Sequence, residues 1–273
     1  MILLSNHFTE IKKRFTGRKV AIMLDFDGTL SSIASTPQRA RIHVGIKKVL
    51  KKLSQSPHTM YIVSGRSVAD VKKKIGIANV TYVGNHGMEW EMGGRRKTIP
   101  LPRTIKQAIG KAKQKLRIIQ KKFPGILIED KQLAVALHYR GIRKTDAKSF
   151  QTQTASLLGE LTRDEHLKIG KGKKVFELLP NIAWNKGFFV RMMVKTELKN
   201  MAQKDIIYIG DDQTDEDVFR ILPKALTIRV GKNKKSAARY YVRSLQSVYQ
   251  ILTMLVSRYP SERSIFRNSA DQR

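Results

Sequence analysis

Asp25-Phe26-Asp27-Gly28-Thr29-Leu30 sets two carboxylates two residues apart, directly after an apolar run. Residues two apart in extended chain point to the same side. One carboxylate can then attack an electrophile while the other moves a proton. Gly28 permits the tight turn this pair needs. Ser64-Gly65-Arg66 ends a second apolar run with a hydroxyl and backbone amides, a combination that suits a phosphate oxygen. An ordinary helix N-cap would read the same way. Asn185-Lys186-Gly187 opens a helical stretch with a lysine able to cancel charge on a transferring phosphoryl group. Gly210-Asp211-Asp212-Gln213-Thr214-Asp215-Glu216-Asp217 packs acids densely into a chain of net charge +31. Hard oxygen ligands in such a cluster suit Mg²⁺. The helix macrodipole explains acids in a first turn, but not aspartates beside a strand. A nucleophile, an acid/base, a metal site and cationic clamps are together the parts of phosphoryl transfer.

The elements that must position these clusters follow from hydropathy. Short buried runs at Val20–Phe26, Met60–Val63, Val80–Val83, Ile206–Ile209 and Ala225–Val230 read as strands. Helical spacing at Ile42–Leu53 and Ser67–Ile75 falls between them, with Ser67 placed to cap the second helix. Strands alternating with helices imply a parallel sheet covered on both faces. In such sheets ligands collect outside the carboxyl ends of the strands, and each of the four clusters lies at or just past a strand end. The middle of the chain differs. Thr104–Lys122 and Ala147–Leu161 read as helices, and Ile126–Glu129, Leu133–Tyr139, His166–Ile169 and Lys174–Leu178 as paired strands. The expected class is α/β, a Rossmann-like parallel-sheet core with helices on both faces plus an inserted α+β cap. The expected boundaries are core at 1–98, cap at 99–182, core again at 183–256 and a polar tail at 257–273, with hinges at Pro100-Leu101-Pro102 and Pro180.

Composition narrows the partners. Apolar residues at 41% are enough for a core, and the absence of cysteine excludes disulfides and thiolate metal sites. No apolar run is long enough to span a membrane and no clear signal peptide opens the chain, so a cytoplasmic protein is expected. The charge of +31 arises from 53 Lys plus Arg against 22 Asp plus Glu. It admits an anionic small molecule, a nucleic acid, or a general bias toward lysine. A nucleic-acid partner is disfavoured, because no aromatic ladder or zinc pattern accompanies the charge.

The four clusters resemble the signature motifs of the haloacid-dehalogenase-like phosphatase superfamily, over residues 20–30, 60–66, 184–187 and 206–217. The resemblance implies Asp25 as nucleophile, Asp27 as general acid/base, and Ser64 and Lys186 as phosphate ligands. It places Mg²⁺ on the Asp25 carboxylate, the Asp27 backbone carbonyl and Asp211, supported by Asp212 and Asp215. Gly65 and Arg66 are expected at the substrate and His86 in support. Gly84-Asn85-His86-Gly87-Met88-Glu89, Glu129-Asp130-Lys131, His138-Tyr139-Arg140, Glu177-Leu178-Leu179-Pro180 and the acidic run continuing to Phe219 narrow the likeness to trehalose-phosphatases, from about residue 18 to 255. That family implies a sugar phosphate substrate, trehalose 6-phosphate, with Glu129, Lys131, Arg140 and Glu177 on the sugar. Phosphatases for sucrose phosphate or mannosyl-phosphoglycerate are the alternative. Leu179 stands where the family often has Arg. Glu129 and Lys131 would also suit a surface ion pair, and His138 a satisfied core histidine. A monomer is expected.

Overall fold

The structure, a computed structural model, describes residues 1–172 and 174–256. The tail expected at 257–273 lies outside the described residues. The chain falls into two compact units. The first holds Met1–Ile33, Ala40–Lys97 and the chain from Trp184 onward, and the second holds Ala34–Arg39 and Thr98–Ala183.

In chain order the first unit begins with β1 (Ile2–Leu3), α1 (Phe8–Phe15), β2 (Ala21–Leu24), α2 (Val44–Leu53), β3 (Thr59–Val63), α3 (Val68–Ile75), β4 (Thr81–Gly84), β5 (Glu89–Met92) and β6 (Arg95–Thr98). The second unit carries α4 (Arg103–Lys122), β7 (Leu127–Asp130), β8 (Val135–His138), α5 (Ala147–Thr162), β9 (Leu167–Gly172) and β10 (Val175–Pro180). The first unit resumes with α6 (Lys186–Lys195), β11 (Ile206–Gly210), α7 (Glu216–Ile221), β12 (Leu226–Val230), β13 (Tyr240–Val242) and α8 (Leu245–Val256).

Among the described residues the first unit's sheet runs β1-β13-β12-β11-β2-β3-β4-β5-β6. It is parallel from β1 to β4, and β5 pairs antiparallel with β4. Every residue of β2 and β11 is buried. That is the signature of central strands covered on both faces, and it explains why they read as unbroken apolar runs rather than alternating ones. From β2 the chain builds outward through β3 and β4, and the returning chain builds the other way through β11, β12 and β13. The order therefore reverses between β2 and β11, where parallel sheets open a crevice at their carboxyl ends. Asp25 and Asp211 are the residues that come directly after those two strands.

The second unit has one sheet of order β7-β8-β10-β9, antiparallel throughout. Its apolar face meets α4, which buries Ile105, Ile109, Ala112, Leu116 and Ile119 at helical spacing. Burying each of the larger side chains contributes roughly 1.5–3 kcal/mol. Phe150 of α5 closes this core against Phe123 and Tyr139, at ring distances of 5.6 and 5.3 Å. Elements the sequence reading does not anticipate include β1, α1, β13, α8 and the β5–β6 pair. β6 is Arg-Arg-Lys-Thr and exposed along its length, so it carries no hydrophobic alternation. β1 has two residues and is held by register with Tyr240 and Tyr241.

Candidate active site

The register of β2 against β11, Leu24 beside Ile209, brings the two acidic turns together. The Asp25 amide donates to the Ile209 carbonyl at 2.9 Å, which extends the pairing one residue beyond β2. Gly28 lies in the left-handed region at φ +82°, and a Cβ there would sit 2.2 Å from the Asp211 carboxylate. The two loops can approach this closely only because residue 28 lacks a side chain.

Lys186 joins the pieces. It is 1% exposed, and its Nζ donates to Asp25 Oδ1 at 2.7 Å and to Asp215 Oδ1 at 2.8 Å. Asn185 starts α6 by accepting from the Phe188 amide at 2.9 Å, which aims the first-turn lysine inward. Asp215 is the organiser of the acidic loop. Its Oδ1 also accepts from the Tyr208 hydroxyl at 2.7 Å, and its Oδ2 accepts from the amides of Asp211 at 2.9 Å and Asp212 at 3.1 Å. Asp212 closes a turn on Thr214, accepting from its amide at 2.8 Å and its hydroxyl at 2.7 Å. Arg229 braces the same loop from β12, donating to the Asp212 carbonyl at 3.0 Å and to Glu216 at 2.8 Å.

The electrostatics reflect carboxylates crowded out of water. Burial pushes Asp25 well above the usual carboxylate range; Lys186 opposes this, and Asp215, Asp211 and Asp212 add to it. Asp215 is raised in the same way, by burial against the pull of Lys186. Asp212 is itself exposed; desolvation by the surrounding loop opposes its charge, but Lys186 and the Thr214 hydrogen bond outweigh that and bring it to about 2. Burial works against charge on Lys186, yet Asp215 and Asp25 hold it firmly protonated.

Carboxylate oxygens of Asp25, Asp211 and Asp215 lie within 4.8 Å of one another. A divalent cation with oxygen ligands fits that donor set, since it would neutralise carboxylates that burial and mutual repulsion otherwise drive toward protonation. Asp215 is the least available of the three, because both its oxygens already accept hydrogen bonds from a lysine, a tyrosine and two amides.

The loops after β3 and β4 carry further expected residues of this unit. Ser64 is buried past β3, and its Oγ accepts from the Arg66 amide at 3.2 Å. Gly65 lies under His86: a Cβ on it would be 2.5 Å from that imidazole. Arg66, expected at the substrate, forks onto Asp27 (Nε to Oδ2 2.6 Å, Nη2 to Oδ1 2.7 Å) and donates to Asp70 at 2.6 Å. His86 sits in the loop after β4 with φ +56°. Glu89 holds that loop by accepting from the Val68 amide at 2.8 Å and the Asn85 side chain at 2.7 Å.

In the second unit the register aligns Glu129, Ala136, Glu177 and Gly170 in one row across β7, β8, β10 and β9. Residues in one row share a face, and so do their neighbours two along. Glu129, Lys131, Glu177 and His138 thus share the face opposite the apolar core, and Leu179 joins them. His138 Nε2 and Glu129 pair at 2.9 Å, and Lys131 pairs with Glu177. Arg140 lies just beyond β8. Tyr208, Arg229 and Asp70 escape the sequence reading. Tyr208 is indistinguishable there from a strand core residue, and Asp70 from an acid that favours a helix start.

The sequence model of the trehalose-phosphatase family matches residues 23–246 of the chain. The chain belongs to the trehalose-phosphatase family. Trehalose-phosphate phosphatase B of Arabidopsis thaliana is 29% identical over 265 residues, covering 92% of this chain and 70% of that protein. Trehalose-phosphate phosphatase of Mycolicibacterium paratuberculosis is 32% identical over 213 residues, 74% of this chain and 51% of that protein. The C-terminal domain of Candida albicans trehalose-6-phosphate phosphatase superposes with a TM-score of 0.78 at 22% identity, over 95% of this chain and 99% of that one. This likeness shows the fold alone, an α/β parallel-sheet core with an inserted α+β unit. As a trehalose-phosphatase family member the chain is a hydrolase, a phosphatase of trehalose biosynthesis. No helix of the described residues is long and apolar enough to cross a membrane.

Proposed function

We propose that this chain hydrolyses trehalose 6-phosphate to trehalose and phosphate through a phosphoryl group carried on Asp25. The observation that supports this most is the junction of Asp25, Lys186 and Asp215 at the point where the strand order reverses. One oxygen of Asp25 bonds to Lys186, which leaves the other to attack phosphorus. As that bond forms, the bond from phosphorus to the sugar oxygen breaks, and Asp27 gives its proton to the departing oxygen. Water then attacks the aspartyl phosphate while Asp27 takes a proton from it. Phosphate leaves and both carboxyl groups return to their starting forms. Ser64 and Lys186 bind the phosphoryl oxygens, and Lys186 offsets charge that builds in the transition state.

Mg²⁺ would be held by the Asp25 carboxylate, the Asp27 carbonyl and Asp211, and when bound would supply a further positive charge to the phosphoryl oxygens. Asp215 and Asp212 hold the loop that presents Asp211. On the cap, Glu129, Lys131, Arg140 and Glu177 read the sugar hydroxyls. The positive surface favours approach of a dianion, an attraction that salt weakens.

The test is phosphate release from a panel holding trehalose 6-phosphate, sucrose 6-phosphate and mannosyl-3-phosphoglycerate, with Mg²⁺ present. The expected result is the highest kcat/KM on trehalose 6-phosphate. A higher value on either other ester would replace the substrate. Release in excess chelator would remove the metal from the proposal.

A further inference from the structure

We infer that Arg66 is a positioning residue for Asp27, holding its carboxylate in the plane that proton transfer requires. The inference rests on the reading of Asp27 as acid/base given above. Asp27 lies on the turn after β2 with 39% of its side chain exposed, whereas the Arg66 side chain is 8% exposed. The fork therefore grips the carboxylate from a buried partner and leaves its other side accessible. Two parallel N–H···O bonds, at 2.6 and 2.7 Å, fix both the position and the plane of the group. Each carboxylate oxygen has a second lone pair, so the gripped group can still hold a proton or meet a departing oxygen.

The grip is itself anchored. Arg66 Nη1 donates to Asp70 at 2.6 Å, and the guanidinium carbon lies 5.4 Å from the centre of the Phe26 ring. Asp70 stands in the first turn of α3, and its amide donates to Ser67 Oγ at 3.2 Å. The chain of contacts runs from the start of α3 through Asp70 and Arg66 to Asp27. A guanidinium whose Nε, Nη1 and Nη2 all donate to carboxylates already spends most of its attraction on Asp27 and Asp70. Positioning suits this geometry better than substrate binding.

The experiment compares Arg66→Lys, Asp70→Asn and Asp27→Asn, on trehalose 6-phosphate and on an aryl phosphate whose leaving group needs little protonation. Lysine keeps the charge but cannot form the fork. Arg66→Lys should lower kcat on trehalose 6-phosphate by about 10²-fold, the cost of a small misplacement, with KM changed by less than about threefold. The burst of aryl alcohol should fall far less. Asp70→Asn, which leaves fork and acid in place, should show the same pattern in weaker form. Arg66→Lys added to Asp27→Asn should cost nothing further, because the two act as one unit. A KM that rises on both substrates, or losses that multiply in the double variant, would overturn the inference and make Arg66 a ligand. If Asp27→Asn itself does not distinguish the two leaving groups, the acid/base reading fails first, and Arg66 has nothing to position.

Discussion

Asp215→Asn tests how the acidic loop is built. In the native chain Asp215 Oδ1 accepts from Lys186 and Tyr208, and Oδ2 from the amides of Asp211 and Asp212. An asparagine has one oxygen and one amino group, so one pair of donors must face a donor. Turned toward the two backbone amides, the amino group forfeits two hydrogen bonds to a charged acceptor, about 1.5–3 kcal/mol each. Turned toward Lys186 and Tyr208 it can be accepted by the tyrosine hydroxyl, but it removes one carboxylate from a buried lysine, and breaking a buried pair costs about 3–5 kcal/mol. Either way the loss is about 3 kcal/mol or more. A domain stable by about 5–15 kcal/mol survives that, so the variant folds and can be measured. Urea unfolding in chelator reads the stability. A second readout comes from position. The amides of Asp211 and Asp212 define the loop presenting Asp211, so Mg²⁺ should bind about 10–100-fold more weakly, as when outer partners of metal ligands are lost. Titrating the Mg²⁺-dependent rise in stability gives that value without reference to turnover. A variant within about 0.5 kcal/mol of the native protein, with unchanged Mg²⁺ affinity, would refute the argument that Asp215 organises the loop.

The two aspartates of the first turn should separate kinetically. Asp25→Asn should form no covalent species, whereas Asp27→Asn given an aryl phosphate should accumulate a phosphoryl group on the peptide holding Asp25, read by rapid quench and mass spectrometry; an adduct on Asp27 would reverse the roles. On the cap, Glu177→Ala removes the partner of Lys131, which is 8% exposed. It should cut kcat/KM on trehalose 6-phosphate about 10–100-fold more than on a small aryl phosphate, and equal losses would place Glu177 outside sugar recognition. His58 gives a pH signature. Burial lowers it from 6.5, and its Nδ1 accepts from the Val20 amide at 3.3 Å. The folded chain resists a proton that the unfolded chain accepts, so stability is complete above about 6.5 and declines as pH falls below it. Urea midpoints across that range should drop in the native protein and flatten in His58→Gln; parallel curves would clear His58 of the effect.

The loops carrying Asp25 and Asp211 are legible in the sequence because they come after short strands with no charged residue to blur them. Val20–Phe26 and Ile206–Ile209 are buried on both faces, so hydropathy finds them, and the loop beyond a parallel strand's carboxyl end is a site by topology. Cap residues are legible for another reason. On β7, β8 and β10 one face is apolar, and alternation assigns Glu129 and Glu177 to the other. The features that escape depend on long-range pairing with no periodic signature. Tyr208 looks like core until Asp215 is found beneath it. Arg66 reads as an anion ligand because its spacing says nothing of Asp27, 39 positions away. The two-residue β1 and the charged β6 are strands only because neighbours offer them a hydrogen-bonding edge. The inclusion of Ala34–Arg39 with the second unit has no sequence signal of its own.

The position of β11 beside β2 also bears on how the molecule comes to exist. Asp25 and Lys186 are 161 positions apart, and the partner of β2 on that side begins at Ile206. During synthesis from the N-terminus, β2 and β3 emerge early, yet the apolar edge of β2 waits for the whole second unit before β11 arrives. Such an edge is a template for wrong pairing while it waits. Early folding of the second unit shortens the loop of free chain that must close, and lowers the entropy lost when β11 slots in. The outermost strand is later still, since Ile2 finds its partner only at Tyr240. A ribosome stalled before residue 206 therefore holds Asp25, Asp27 and the second unit, but neither the acidic loop nor the strand that completes the centre of the sheet.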